Sequence, residues 1–137
     1  MSFKQKFVEG MLEGLITDPE VMYEIVQSIV TTLLSMVTIQ DVVYALDKNI
    51  QPEEVFAKIP QDVIQPLKQH LASLSPAQKL KIKQMTIEYL TYDNVVKWLR
   101  AENVNLLAIL LNHPNGKQFV NNFIRYINGK YINELLG

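Results

Sequence analysis

The chain has 137 residues, the size of one domain, since domains most often run to about 100–150 residues. Apolar residues make up 48% and charged residues 20%, enough for a core and too little charge for a chain that stays unfolded. The absence of cysteine excludes disulfides, thiolate metal sites and a cysteine nucleophile, and a net charge of −1 supplies no overall field for nucleic acid or membrane.

The amino terminus carries charges throughout, at Lys4, Lys6 and Glu9, and has no apolar stretch of the secretory type. Together with the missing cysteines this points to a reducing, cytoplasmic setting. Phe3, Phe7, Val8, Met11, Leu12, Leu15 and Ile16 then space out a first amphipathic helix. Asp18-Pro19-Glu20 supplies an N-cap, a proline at the first helical position and an early acid, and starts a second helix running to about Val37.

From Val21 to Ile39 there is one charge, Glu24, over nearly the roughly 20 residues of a membrane span. Its polar residues are nevertheless ordered. Glu24, Gln27, Ser28, Thr31, Thr32, Ser35 and Thr38 recur every three or four positions, opposite Met22, Ile25, Val26, Ile29, Val30, Leu33, Leu34 and Val37. Lipid gives no reason for such a stripe, so the segment reads as the central helix of a bundle, and no membrane partner is expected. Ser28, Thr32 and Ser35 are small residues at helical spacing, suited to close approach by another helix of the bundle or by a second copy.

Thr38 with Asp41 caps a short helix carrying Val42, Val43 and Leu46, and Pro52-Glu53-Glu54 opens another with Val55, Phe56 and Ile59 inward. A helix-turn-helix match over these two fails. No glycine stands in the turn, and Glu53 and Glu54 at the head of the would-be recognition helix would repel phosphates. Pro60 and Pro66 bracket the entry to a helix holding Leu67, Leu71 and Leu74. Ser75-Pro76-Ala77-Gln78 is a capping box with proline at the first helical position, and its helix reaches about Leu90. Thr91 restarts the chain, Asn103 caps Val104 to Leu111, and His113-Pro114 turns into a helix with Phe119, Val120, Phe123, Ile124 and Ile127. Asn128-Gly129 reads as a left-handed helix stop, before a last turn ending at Leu135-Leu136. Strand patterns are lacking, so the sequence predicts one all-α domain over 1–137, a compact, irregular bundle of seven to nine mostly short helices.

Charge divides between the halves. Four basic against ten acidic residues precede Pro66, and nine against four follow from it, leaving −6 and +5. The positive half could face an anionic partner, the halves could meet head to tail between copies, or they could interleave within one chain. Basic and aromatic residues mix in two clusters of the positive half: Tyr89, Tyr92, Lys97, Trp98 and Arg100, then Arg125, Tyr126, Lys130 and Tyr131. For nucleic acid, Lys79, Lys83, Lys97 and Arg100 would meet phosphates while Trp98 stacked on a base. Two arginines are few for bidentate recognition.

Signals for catalysis are weak. The pairs Glu9/Glu13 and Glu20/Glu24 lack a Glu-x-x-His partner, and His70 and His113 stand far apart without acids at ligand spacing. Gly-rich phosphate loops and nucleophile elbows are missing too. No catalytic, metal-binding or cofactor-binding residue is therefore expected. The first reading is a non-enzymatic helical interaction protein, a homo-oligomer or the binder of a protein partner. A second, from another class, is a small nucleic-acid-binding or nucleoprotein component that uses the basic, aromatic-containing half.

Overall fold

The computed structural model describes residues 19–57, 65, 68, 69 and 71–136. The first predicted helix over 3–16, and most of 58–70 with Ile59, Leu67 and His70, lie outside the described residues. Among the described residues the chain forms eight α-helices and one turn of π-helix, with no strand. The all-α bundle expected from the apolar spacing is what forms.

In α1 (Pro19–Ser35), Met22, Ile25, Val26, Ile29, Val30, Leu33 and Leu34 recur three or four apart, and none is more than 4% exposed. Burying one such side chain contributes about 1.5–3 kcal/mol, so seven of them on one helix make it the axis of the core. No single described helix is long and apolar enough to cross a membrane, and the pair Met22–Ser35 and Ile39–Lys48, which is so in combination, bends by 85° at its break.

Local caps then set the helix starts. Thr38 Oγ1 accepts from the Asp41 N–H at 3.1 Å, opening α2 (Ile39–Lys48), which buries Val42, Ala45 and Leu46. Asn49 ends it in the left-handed region, φ 54°, while the Ile50 N–H reaches back to the Ala45 carbonyl at 2.8 Å. Short α3 (Pro52–Phe56) follows, with Val55 and Phe56 buried. Ser75 and Gln78 bond reciprocally, at 3.2 and 2.9 Å, and open α4 (Pro76–Tyr89). Thr91 Oγ1 accepts from the Asn94 N–H at 3.2 Å for α5 (Tyr92–Glu102), and Asn103 Oδ1 from the Leu106 N–H at 3.3 Å for α6 (Val104–Asn112). α1 packs on α4 and α5, while α7 (Gly116–Tyr126) packs on α3, α5 and α6.

The α6–α7 turn is tight. A Cβ on Gly116 would stand 1.7 Å from the Leu110 carbonyl oxygen, so only glycine fits between the two helices. The turn is also fastened to the end of α2: His113 Nε2 lies 2.8 Å from Asp47 Oδ1, and Asn115 Nδ2 donates to the Leu46 carbonyl at 2.9 Å. His113 Nδ1 accepts from the Asn115 N–H at 3.0 Å, which places the proton on Nε2, facing Asp47. His113 thus serves the turn.

Asn128-Gly129, expected to stop the chain, does not. Neither residue is left-handed; the path continues through a π turn (Ile127–Tyr131) into α8 (Ile132–Leu136). Ile127, Tyr131, Ile132, Leu135 and Leu136 are all buried along it. Their burial outweighs the roughly 1 kcal/mol that glycine costs in a helix, and the wider turn shifts the register so that these side chains keep facing the core.

Candidate functional site

The π turn has a second consequence, because it faces α3. Phe56 of α3 packs on Phe123, centroids 4.9 Å apart, and lies nearly parallel to Tyr126 at 6.2 Å and 17°. Tyr131 stands 5.9 Å from Tyr126. The rings of Phe56, Tyr126 and Tyr131, with Leu33, wall a cleft of about 520 Å³ that also presents Glu53, Glu54, Glu134 and Lys130. Lys130 Nζ donates to Glu53 Oε1 at 2.5 Å. A shallower depression of about 340 Å³, reaching Asn122 and Arg125, shares Glu53, Tyr126 and Lys130 with it.

The electrostatics of the cleft are negative. Burial, then the charges of Glu134 and Glu53, push the Tyr126 phenol above its ordinary range. Tyr131 is held higher still, by burial first and then by Tyr126 and Glu134. The hydrogen bond that Lys130 donates to Glu53, and the charge of that carboxylate, raise Lys130, so the ammonium stays protonated. The cleft thus presents neutral phenols, carboxylates and one ammonium. No group of three or more His, Asp or Glu among the described residues could hold a metal ion.

Of the residues singled out for nucleic acid, Trp98 does not reach the surface. Trp98 is 2% exposed and belongs to the core, where its Nε1–H donates to the Tyr23 hydroxyl at 2.9 Å and its ring meets Tyr23 edge-on. Stacking on a base would require unpacking that core, so the stacking role is corrected to a structural one. Lys79 and Lys83 flank the inward side of α4 and are partly buried; Lys97 and Arg100 are exposed on α5. Lys97 Nζ stands 5.9 Å from the Tyr23 ring centroid, and Lys117 pairs in the same way with Tyr92 at 5.6 Å. Part of the basic and aromatic mixture is thus spent inside the molecule.

The small residues of α1 divide. Ser28 and Thr32 are partly buried and Ser35 is exposed. Ser35 Oγ donates to the Thr32 carbonyl at 2.7 Å, and Thr31 Oγ1 to that of Gln27 at 2.9 Å. Thr32 and Ser35 border a groove of about 260 Å³ against Leu99, Glu102 and Asn103 of the same chain, so this face is turned toward the α5–α6 junction. The two charged halves also meet within one molecule. Asp47 with His113, and Glu53 with Lys130, join residues 66 and 77 positions apart across the divide.

One feature escaped the sequence reading. Leu80 and Ile87 on α4, and Val104 and Leu111 on α6, are between 51% and 62% exposed. Each pair is spaced i, i+7, and with Gln84 or Ala108 between, each lies along the side of its helix opposite the core. The available signal was that Leu80, Ile82, Met85 and Ile87 leave α4 no single apolar face. No known protein family, curated protein or solved structure matches this chain.

Proposed function

We infer that the chain is a non-enzymatic helical interaction protein that self-associates through the outward apolar sides of α4 and α6. The observation that carries this reading is the pairing of large exposed apolar residues, Leu80 with Ile87 and Val104 with Leu111, one helical face each. Single exposed leucines are ordinary on protein surfaces; aligned pairs on two helices are what an interface needs. The Glu53–Lys130 ion pair and the Asp47–His113 hydrogen bond join the acidic and basic halves inside one chain, which favours an apolar seam over charge-driven head-to-tail assembly. The nucleic-acid reading keeps Lys79, Lys83, Lys97 and Arg100 but loses its stacking residue.

Sedimentation at about 0.05 M and about 0.5 M salt tests this, since screening weakens exposed ion pairs and leaves apolar contacts standing. The expected result is an oligomer at both. Leu80→Gln with Ile87→Gln, or Val104→Gln with Leu111→Gln, should release monomers of unchanged helix content. A monomer at both salt concentrations, or an oligomer that salt alone dissolves, overturns the proposal.

A further inference from the structure

We propose that the cleft between α3 and the π turn is a binding site for an organic cation, an alkylammonium or guanidinium group. This goes beyond the self-association reading and is independent of it, because no residue of α4 or α6 lines the cleft.

Three observations converge. First, the cavity is large enough, at about 520 Å³, for a side chain or a small linear amine. Second, its apolar wall is aromatic. Tyr126 is the partly exposed ring, backed by the buried rings of Phe56 and Tyr131, and an aromatic ring attracts a cation and covers its alkyl stem. Third, three carboxylates line the same cleft against one ammonium, and like charges gathered at one place sum to a local negative potential. That field is felt by the cleft's own groups, since Glu134 raises both tyrosines and Glu53 raises Tyr126.

The one cation already there is Lys130, which is bonded to Glu53. Glu54 and Glu134 hold no ion pair among the described residues, so two carboxylates remain for an incoming charge. Lys130 then acts as a competitor: its tether to Glu53 neutralises one of three acids, and removing it should strengthen binding. A merely acidic surface would attract cations weakly and everywhere. A cleft with aromatic walls should bind them at one place.

The test is a titration of the full chain followed by the aromatic proton resonances of Tyr126 and Tyr131, at low salt. The probes are acetylated tetralysine amide and spermidine, with acetylated tetraglutamate as control. Expected are saturable shifts at both tyrosines with a Kd of about 1 mM or tighter, and none with tetraglutamate. Glu54→Gln with Glu134→Gln should weaken binding by about tenfold or more, and Lys130→Met should tighten it by a few-fold. These positions are at the surface, and circular dichroism checks that the variants fold. Tighter binding of the peptide assigns the cation to a protein partner, and tighter binding of spermidine to a free polyamine; either result supports the site. Shifts that do not saturate, or that persist unchanged in the double variant, overturn it. An unchanged oligomeric state in all these variants would separate this result from the assembly reading.

Discussion

Two aromatic and basic clusters that look alike in sequence have opposite fates. Around Tyr23, the rings of Tyr89 and Trp98 meet edge-on, at 5.5 and 5.6 Å, and the indole N–H is satisfied by the Tyr23 hydroxyl. That cluster joins α1, α4 and α5 and closes the core. Around Tyr126, the rings of Phe56 and Tyr131 instead wall an open cleft whose other side is charged. The difference lies in what distant segment each cluster meets. Trp98 meets an aromatic residue 75 positions away, whereas Lys130 meets an acid 77 positions away. Composition describes the cluster; the partner decides whether it becomes core or cleft.

The sharpest way to break this comparison is truncation. Trp98→Ala should cost about 3–5 kcal/mol, because it opens a cavity in the core. Tyr126→Ala, at the cleft, should cost less than half of that. Urea denaturation followed by circular dichroism measures both, and equal costs would mean that the two clusters are energetically one. Tyr23→Phe comes next. It keeps the ring but removes the acceptor of the indole N–H, at a cost of about 1–3 kcal/mol. Trp98 is the only tryptophan, so its fluorescence should report the changed surroundings directly.

The cleft should declare itself at high pH. In the unfolded chain Tyr131 ionises near 10, whereas in the fold burial holds it neutral to a higher pH. A phenol raised by folding stabilises the native state fully below its unfolded value, and that contribution is lost as pH climbs through the folded one. The urea midpoint should therefore fall as pH rises from about 10 upward, and Tyr131→Phe should flatten part of the fall. A midpoint that declines equally in both proteins would mean that Tyr131 has water access enough to ionise in place.

What was legible in the sequence was local. Thr38, Ser75, Thr91 and Asn103 each bond a backbone N–H three residues on, so the signal and its partner lie within one helical turn. The buried stripe of α1 was equally plain, because seven large apolar residues repeat on one face. The helix stop was misplaced because two turn residues competed with five buried side chains, and tertiary burial won at Asn128-Gly129. Asn49 took the left-handed role instead, and Pro52, three residues beyond it, was the available hint. Neither the role of Trp98 nor the cleft could be read along the chain, since each is completed by a residue more than seventy positions away.

The smallest expected effect concerns the ion pair at the cleft. Lys130 and Glu53 are both about half exposed, by 56% and 50%, and water and salt screen such pairs. Ordering two long side chains offsets most of what attraction remains. Lys130→Met should therefore leave the urea midpoint where it was, at low and at high salt alike, despite the short Nζ–Oε1 distance. Tyr126 offers the contrasting readout. Lys130 is the one neighbour that lowers its ionisation, against the raising effects of burial, Glu134 and Glu53, so losing the ammonium should push the Tyr126 phenol further up. An absorbance titration of tyrosinate in the folded protein measures that shift. An altered midpoint with an unmoved phenol would make Lys130 a structural strut; an unaltered midpoint with a raised phenol makes it part of the cleft's electrostatics, as its pairing with Glu53 implies.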